Sequence, residues 1–125
     1  MERGGVMEKR RFEKLGIDVS LLGFGCMRFP TNAEGKIDRP LAEKMLDKAI
    51  ASGVNYIDTA YPYHDGESEL FVGEALKKYP RDSYYLATKL PVWFVNKQRS
   101  IRHHKKSQKR GQKDHFRRNY FNKNA

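Results

Sequence analysis

The chain is short of the residues that anchor several kinds of fold. Cys26 is its one cysteine among 125 residues, so no internal disulfide can form and no multi-cysteine metal site can be built. The remaining candidate ligands, His64, His103, His104 and His115, follow no zinc spacing, and adjacent His103 and His104 do not readily face one ion. No structural metal is expected. The sequence nowhere runs for about 18 apolar residues, which excludes a membrane-spanning helix, and residues 1–12 lack the apolar stretch of a signal peptide. A soluble, cytoplasmic chain with one modest domain is the expectation, because 38% hydrophobic residues suffice for a single core.

Acidic residues are scarce in one segment only. The formal net charge is +10, yet residues 1–96 hold 14 Lys+Arg against 14 Asp+Glu, and residues 97–125 hold 11 basic residues against Asp114 alone. The whole imbalance lies after Asn96. The same segment has no Val, Leu or Met, and its large apolar side chains are Ile101, Phe116, Tyr120 and Phe121. So little apolar surface does not offset the entropy of ordering a chain, and residues 97–125 read as a disordered basic tail. Such an abrupt switch is what a shift of reading frame into A-rich codons would yield. The other reading is a basic appendage whose Phe116, Tyr120 and Phe121 stack on single-stranded nucleic acid.

Before Asn96 the sequence is patterned. Lys9 to Lys14 and Val19 to Gly25 are β-like runs about a turn at Gly16-Ile17-Asp18, which predicts a hairpin leading into a buried strand over 20–25. Asp38 is a helix N-cap with Pro40 in the first turn, and Leu41, Met45, Ala49, Leu46 and Ile50 make an apolar stripe that stops at Gly53. Residues 54–60 read as a strand. A second helix follows the loop 61–66, with Glu67 and Glu69 at its positive end, Lys77 and Lys78 at its negative end, and Pro80 as the stop. Residues 83–90 read as a third strand. The crossovers have the length parallel strands require, so the class is α/β. A doubly wound sheet and a (β/α)8 barrel both fit this pattern.

Gly23-Phe24-Gly25 resembles a dinucleotide fingerprint only in part, since Arg28 stands where the third glycine belongs and no helix opens there. Asp58 and Lys89 say more. Each is a charge near the C-terminal end of an apolar strand, the sheet edge at which α/β sites are built. A charge there is costly unless paired, which predicts an Asp58–Lys89 ion pair across neighbouring strands. Such a pair has a structural reading, the closing of a sheet edge, and a functional one if a third group joins it. Tyr63, five residues past Asp58, is that candidate. A phenol bonded to an ammonium has its ionised form stabilised, which suits it to give a proton to a carbonyl oxygen.

Residues 22–28, 53–60, Tyr63, 67–75 and Ala87-Thr88-Lys89, in this order and spacing, resemble the N-terminal part of an aldo-keto reductase over roughly residues 7–95. Members of that family are TIM barrels, (β/α)8, with an N-terminal hairpin, and they reduce carbonyls with NADPH through an Asp, Tyr, Lys and His tetrad. The resemblance implies Asp58 as the orienting carboxylate, Tyr63 as general acid and Lys89 as its partner. It also implies Cys26 and Met27 beside the nicotinamide and substrate, Asp58 near the nicotinamide ribose, NADP as cofactor and a small carbonyl compound as substrate.

The family's His follows a fourth strand and a Leu-Leu motif, and neither is found in this sequence. The expected fold is therefore an incomplete (β/α)8 barrel over 7–96, comprising the hairpin and the first three β/α units, with the tail over 97–125. Residues 1–6 read as a non-native extension, with translation starting at Met7. The expected function is an NADP-dependent carbonyl reductase represented by a truncated fragment inactive on its own. The alternatives are a nucleic-acid-binding protein acting through the tail and a non-catalytic remnant.

Overall fold

A computed structural model describes residues 5–89 and Pro91. Strands β1 (Lys9–Phe12) and β2 (Ile17–Ser20) pair antiparallel, with Lys9 opposite Ser20 and Phe12 opposite Ile17. The turn occupies residues 13–16 rather than 16–18. Gly16, at φ +63, is its last residue, and the Gly16 N–H closes it on the Phe12 carbonyl at 2.9 Å.

The buried strand expected over 20–25 is also shorter than predicted. Ser20 Oγ donates to the Leu22 carbonyl (2.6 Å), and the Ser20 N–H donates to Asn55 Oδ1 (2.7 Å). These side-chain bonds bend the chain out of the ladder. Leu21 and Leu22 are left exposed, and β3 is reduced to Phe24–Gly25.

Helix α1 (Arg39–Ala51) begins where the sequence says it should. Asp38 Oδ1 accepts from the Leu41 N–H at 3.2 Å, and Pro40 needs no partner in the first turn. Its buried face differs from the predicted stripe. Ala42 and Leu46 are fully buried with Ala49 and Ile50 packed beside them, a run at i, i+4, i+7 and i+8, whereas Leu41 and Met45 are exposed. All five apolar side chains of the predicted stripe cannot meet one sheet, and contact with β4 selects the arc through Leu46.

Strand β4 (Tyr56–Asp58) leads through a tight turn over Tyr63–Gly66 into helix α2 (Glu67–Ala75). Helix α2 tightens to a 3-10 turn over Leu76–Lys78, and Pro80 lies beyond its end. Strand β5 (Tyr85–Ala87) is shorter than the predicted third strand, because Arg81–Ser83 form a further 3-10 turn. Leu90 and the basic tail, with its expected disorder, lie outside the described residues, as does the rest of the third β/α unit expected from the sequence.

Strands β3, β4 and β5 form one parallel sheet in that order, an α/β arrangement that does not close into a barrel among the described residues. Ile57 of β4 and Leu86 of β5 face the helices and pack with Leu46, Phe71, Val72 and Leu76. Residues one step away in each strand, Asp58 and Ala87, fall on the opposite face. No helix among the described residues is long and apolar enough to cross a membrane.

Gly53 ends α1 at φ +94, and a Cβ there would stand 2.6 Å from Met7 Cβ. Gly35 is also left-handed, at φ +75, but has open space around it. Gly35→Ala is expected to cost only the conformational penalty, roughly 1–2 kcal/mol, and Gly53→Ala distinctly more. Thermal denaturation of both variants checks this; equal shifts would contradict it.

Candidate active site

The site grows out of strand register. Asp58 closes β4 and lies opposite Ala87 of β5, so Lys89, two residues further, returns to the face that Asp58 occupies. The ladder continues past the strands, with the Thr59 N–H donating to the Ala87 carbonyl at 2.8 Å. On the other side Gly25 of β3 pairs with Asp58, and the Cys26 N–H donates to the Asp58 carbonyl at 2.8 Å. Asp58 is thus held between two strands before its carboxylate does anything.

Lys89 Nζ reaches both Asp58 oxygens, at 2.9 Å to Oδ1 and 2.8 Å to Oδ2. The same ammonium donates to the Thr59 carbonyl at 3.2 Å and meets the Tyr63 hydroxyl at 3.1 Å. It also lies 4.9 Å from the centroid of the Tyr63 ring. One cation therefore gathers a carboxylate, a backbone carbonyl and a phenol. The three side chains singled out in the sequence meet in space, and half of the Lys89 side chain remains exposed, as does about a third of Asp58 (50% and 36%).

Partial burial works to lower the Lys89 pKa, but hydrogen bonds to Asp58 and Tyr63, backed by the Asp58 charge, outweigh it and hold it above the ordinary lysine value. The ammonium is fully charged at neutral pH. An exposed pair of this kind contributes little to stability, so its main consequence is the placement of charge beside the phenol.

Cys26 and Met27 separate. Cys26 is fully buried in the core cluster, and burial first, then the Asp58 carboxylate, push its thiol up to about 12, with Lys89 acting in the opposite direction. A thiol in that state is protonated and not nucleophilic at neutral pH. Its side chain packs beneath the site, while Met27 is 53% exposed. No group of three or more His, Cys, Asp or Glu able to hold a metal ion occurs among the described residues.

Sequence reading missed the layer that supports the site. Thr59 Oγ1 and Ser68 Oγ lie 2.9 Å apart, both fully buried, and Ser68 Oγ donates to the Cys26 carbonyl at 3.0 Å. Thr88 Oγ1 donates to Glu69, which is also buried. The first turn of α2 is thereby bonded to the ends of β3, β4 and β5. His64 was missed as well: its Nε2 accepts from the Phe29 N–H at 2.9 Å. A cluster of Ser, Glu and Thr beside strand ends is the signal that points to such a layer, but their pairing depends on tertiary contacts.

A sequence model of the Aldo/keto reductase family matches residues 21–122. The chain belongs to this family. It is 39% identical over 83 residues to the uncharacterized oxidoreductase YqkF of Bacillus subtilis (strain 168), covering 66% of this chain and 25% of that one. It is 40% identical over 93 residues to the NADH-specific methylglyoxal reductase of Escherichia coli (strain K12), covering 73% and 28%. Among solved structures, the aldo-keto reductase of Klebsiella pneumoniae in complex with NADPH superposes with a TM-score of 0.64 at 30% identity, covering 86% of this chain and 36% of that one. Aldo-keto reductase AKR11C1 of Bacillus halodurans, in its holo form, gives 0.63 at 32% identity, covering 86% and 37%. The chain spans about a quarter of the length of the curated relatives it matches, from 22% to 28%.

The raised Lys89 pKa fixes the sign of a pH effect. Its stabilising contribution is complete below the unfolded lysine value, about 10.4, and is lost as pH rises through the folded value. The stability gap between the native chain and Lys89→Met is expected to stay flat from neutral pH to about 10 and to narrow above it. Denaturant titrations across that range test this, and a gap that widens above pH 10 would contradict it.

Proposed function

We propose that Asp58, Lys89 and Tyr63 form the proton-delivering half of an NADP-dependent carbonyl reductase, and that residues 7–96 are the opening of its (β/α)8 barrel. The observation that carries this reading is Lys89 Nζ bonded at once to the Asp58 carboxylate and the Tyr63 hydroxyl. The cofactor is inferred from relatives: the Klebsiella pneumoniae enzyme binds NADPH, and the Escherichia coli relative is NADH-specific.

The residues present fit the nicotinamide end of such a cofactor. Gly25 lies in register with Asp58, and among the described residues nothing stands within 4 Å of where its Cβ would be, which leaves an open floor beside the carboxylate. Met27 is exposed just past that floor. Met27 and Asp58 would hold the nicotinamide ring and its ribose, with the Cys26 backbone behind them. When bound, the cofactor supplies the hydride that reaches the carbonyl carbon.

The chain's own residues handle the oxygen and its proton. A carbonyl oxygen seated against the Tyr63 hydroxyl receives the phenolic proton as negative charge builds on it, and the product is the alcohol. The charge this leaves on Tyr63 faces the Lys89 ammonium at 3.1 Å. Asp58 keeps the ammonium from swinging into solvent, and the Thr59 carbonyl sets the fourth contact. A small aldehyde or ketone is the substrate class that needs no more than this.

Among the described residues the tetrad's histidine has no counterpart. His64 is the one histidine among the described residues, and its Nε2 is already bonded to the Phe29 N–H. The basic segment after Asn96 plays no part in this reading, and a non-catalytic remnant is the second reading.

NADPH oxidation with a simple aldehyde tests both. Where turnover is measurable, Tyr63→Phe is expected to lower it by about 10²–10⁴ with little change in cofactor binding. Full turnover in Tyr63→Phe would overturn the assignment, and neither binding nor turnover in the native chain supports the remnant.

A further inference from the structure

Three consecutive residues after Tyr63 are left-handed: His64 (φ 50, ψ 44), Asp65 (φ 54, ψ 37) and Gly66 (φ 87). Glycine takes this conformation freely, whereas two non-glycine residues in succession carry strain that surrounding contacts must hold. The Glu67 N–H closes the turn on the Tyr63 and His64 carbonyls, and among the described residues Asp65 adds no side-chain restraint. His64 does. Its Nε2 accepts the Phe29 N–H at 2.9 Å, and the two rings lie 5.8 Å apart at 30°. Accepting at Nε2 requires the neutral ring with its proton on Nδ1.

Phe29 is a firm anchor. It is buried, meets Phe71 of α2 edge to face at 5.0 Å, and lies 6.0 Å from Phe24 of β3. The loop that carries Tyr63 is thus tied through His64 to the loop that carries Met27, with the core as the fixed point. Tyr63 itself is held by its N–H on the Ala60 carbonyl, at 3.2 Å, by its carbonyl, which accepts the Glu67 N–H, and by its hydroxyl on Lys89.

We propose that His64 is a positioning residue for the reaction: by accepting the Phe29 N–H it holds the left-handed turn that keeps the Tyr63 hydroxyl on Lys89. This rests on the reading of Tyr63 as proton donor, but it concerns where the phenol stands and not whether the chain turns over. His64 touches no reacting atom. Its side chain supplies an acceptor, and the turn it stabilises supplies the direction of Tyr63.

Two variants separate the acceptor from the backbone conformation. His64→Gly takes φ near 50 without strain but offers no acceptor, and His64→Gln offers its amide oxygen near the place of Nε2. The readout is the Cζ resonance of Tyr63 in the full chain with tyrosine labelled by carbon-13, assigned by its loss in Tyr63→Phe. The displacement of that resonance in Lys89→Met calibrates loss of the Lys89 contact.

His64→Gly is expected to shift the Tyr63 resonance to the Lys89→Met position while the remaining tyrosine signals stay in place, and His64→Gln is expected to keep it at the native position. A native Tyr63 resonance in His64→Gly overturns the proposal, since backbone conformation alone would then suffice. A shift in His64→Gln equal to that of His64→Gly overturns it as well. General collapse of tyrosine dispersion in His64→Gly assigns His64 to the fold rather than to Tyr63 and does the same. None of these readings uses cofactor or turnover, so an inactive chain leaves the test intact and bears only on the reductase assignment.

Discussion

The Lys89 ammonium is the contact on which the rest of the site depends. Asp58 ends one of two adjacent parallel strands and Lys89 lies just past the other, and each carries a charge near a sheet edge that the fold partly withdraws from water. Together they cancel, and Lys89 keeps one donor for the Tyr63 hydroxyl and another for the Thr59 carbonyl. Without the carboxylate the amine would have no reason to lie back along the sheet. Without the amine the phenol would be an ordinary loop tyrosine. The bonding of α2 through Ser68, Glu69, Thr59 and Thr88 keeps the two strand ends from separating.

Much of this was legible because it follows from local rules. The Asp38 cap, the Pro40 position and the Gly53 stop mark α1 to within a residue, and two charges at successive strand ends identify the site edge. The parts that were not legible depend on tertiary competition. Periodicity alone placed Leu41 and Met45 inside, but only contact with the sheet decides which arc of α1 is covered, and it favours Ala42 and Leu46. The run Ser20 to Gly25 looked like one strand until Ser20 and Asn55, 35 residues apart, exchanged side-chain and backbone bonds and broke it. His64 drew notice in the sequence only as a metal candidate, because its partner is a backbone N–H that no spacing reveals.

Net charge gains meaning only when it is divided along the chain. A value of +10 points toward a polyanionic partner, yet the residues before Asn96 are balanced and the described site uses one cation held by one anion. Family membership rests on a match over residues 21–122, and the relatives extend well beyond the portion this chain covers. Within that portion the proposed proton-handling groups lie at two strand ends and on one loop, all close in sequence to the core that orients them. This makes preassembly of the Asp58, Lys89 and Tyr63 arrangement a property of the N-terminal strands themselves.

A crystal structure of the 125-residue chain tests that claim most directly. Lys89 Nζ is expected within hydrogen-bond distance of both Asp58 oxygens and of the Tyr63 hydroxyl, the last near 3.1 Å, with β3, β4 and β5 in parallel register. A Lys89 side chain extended into solvent, with Asp58 unpaired and Tyr63 turned away, would contradict it.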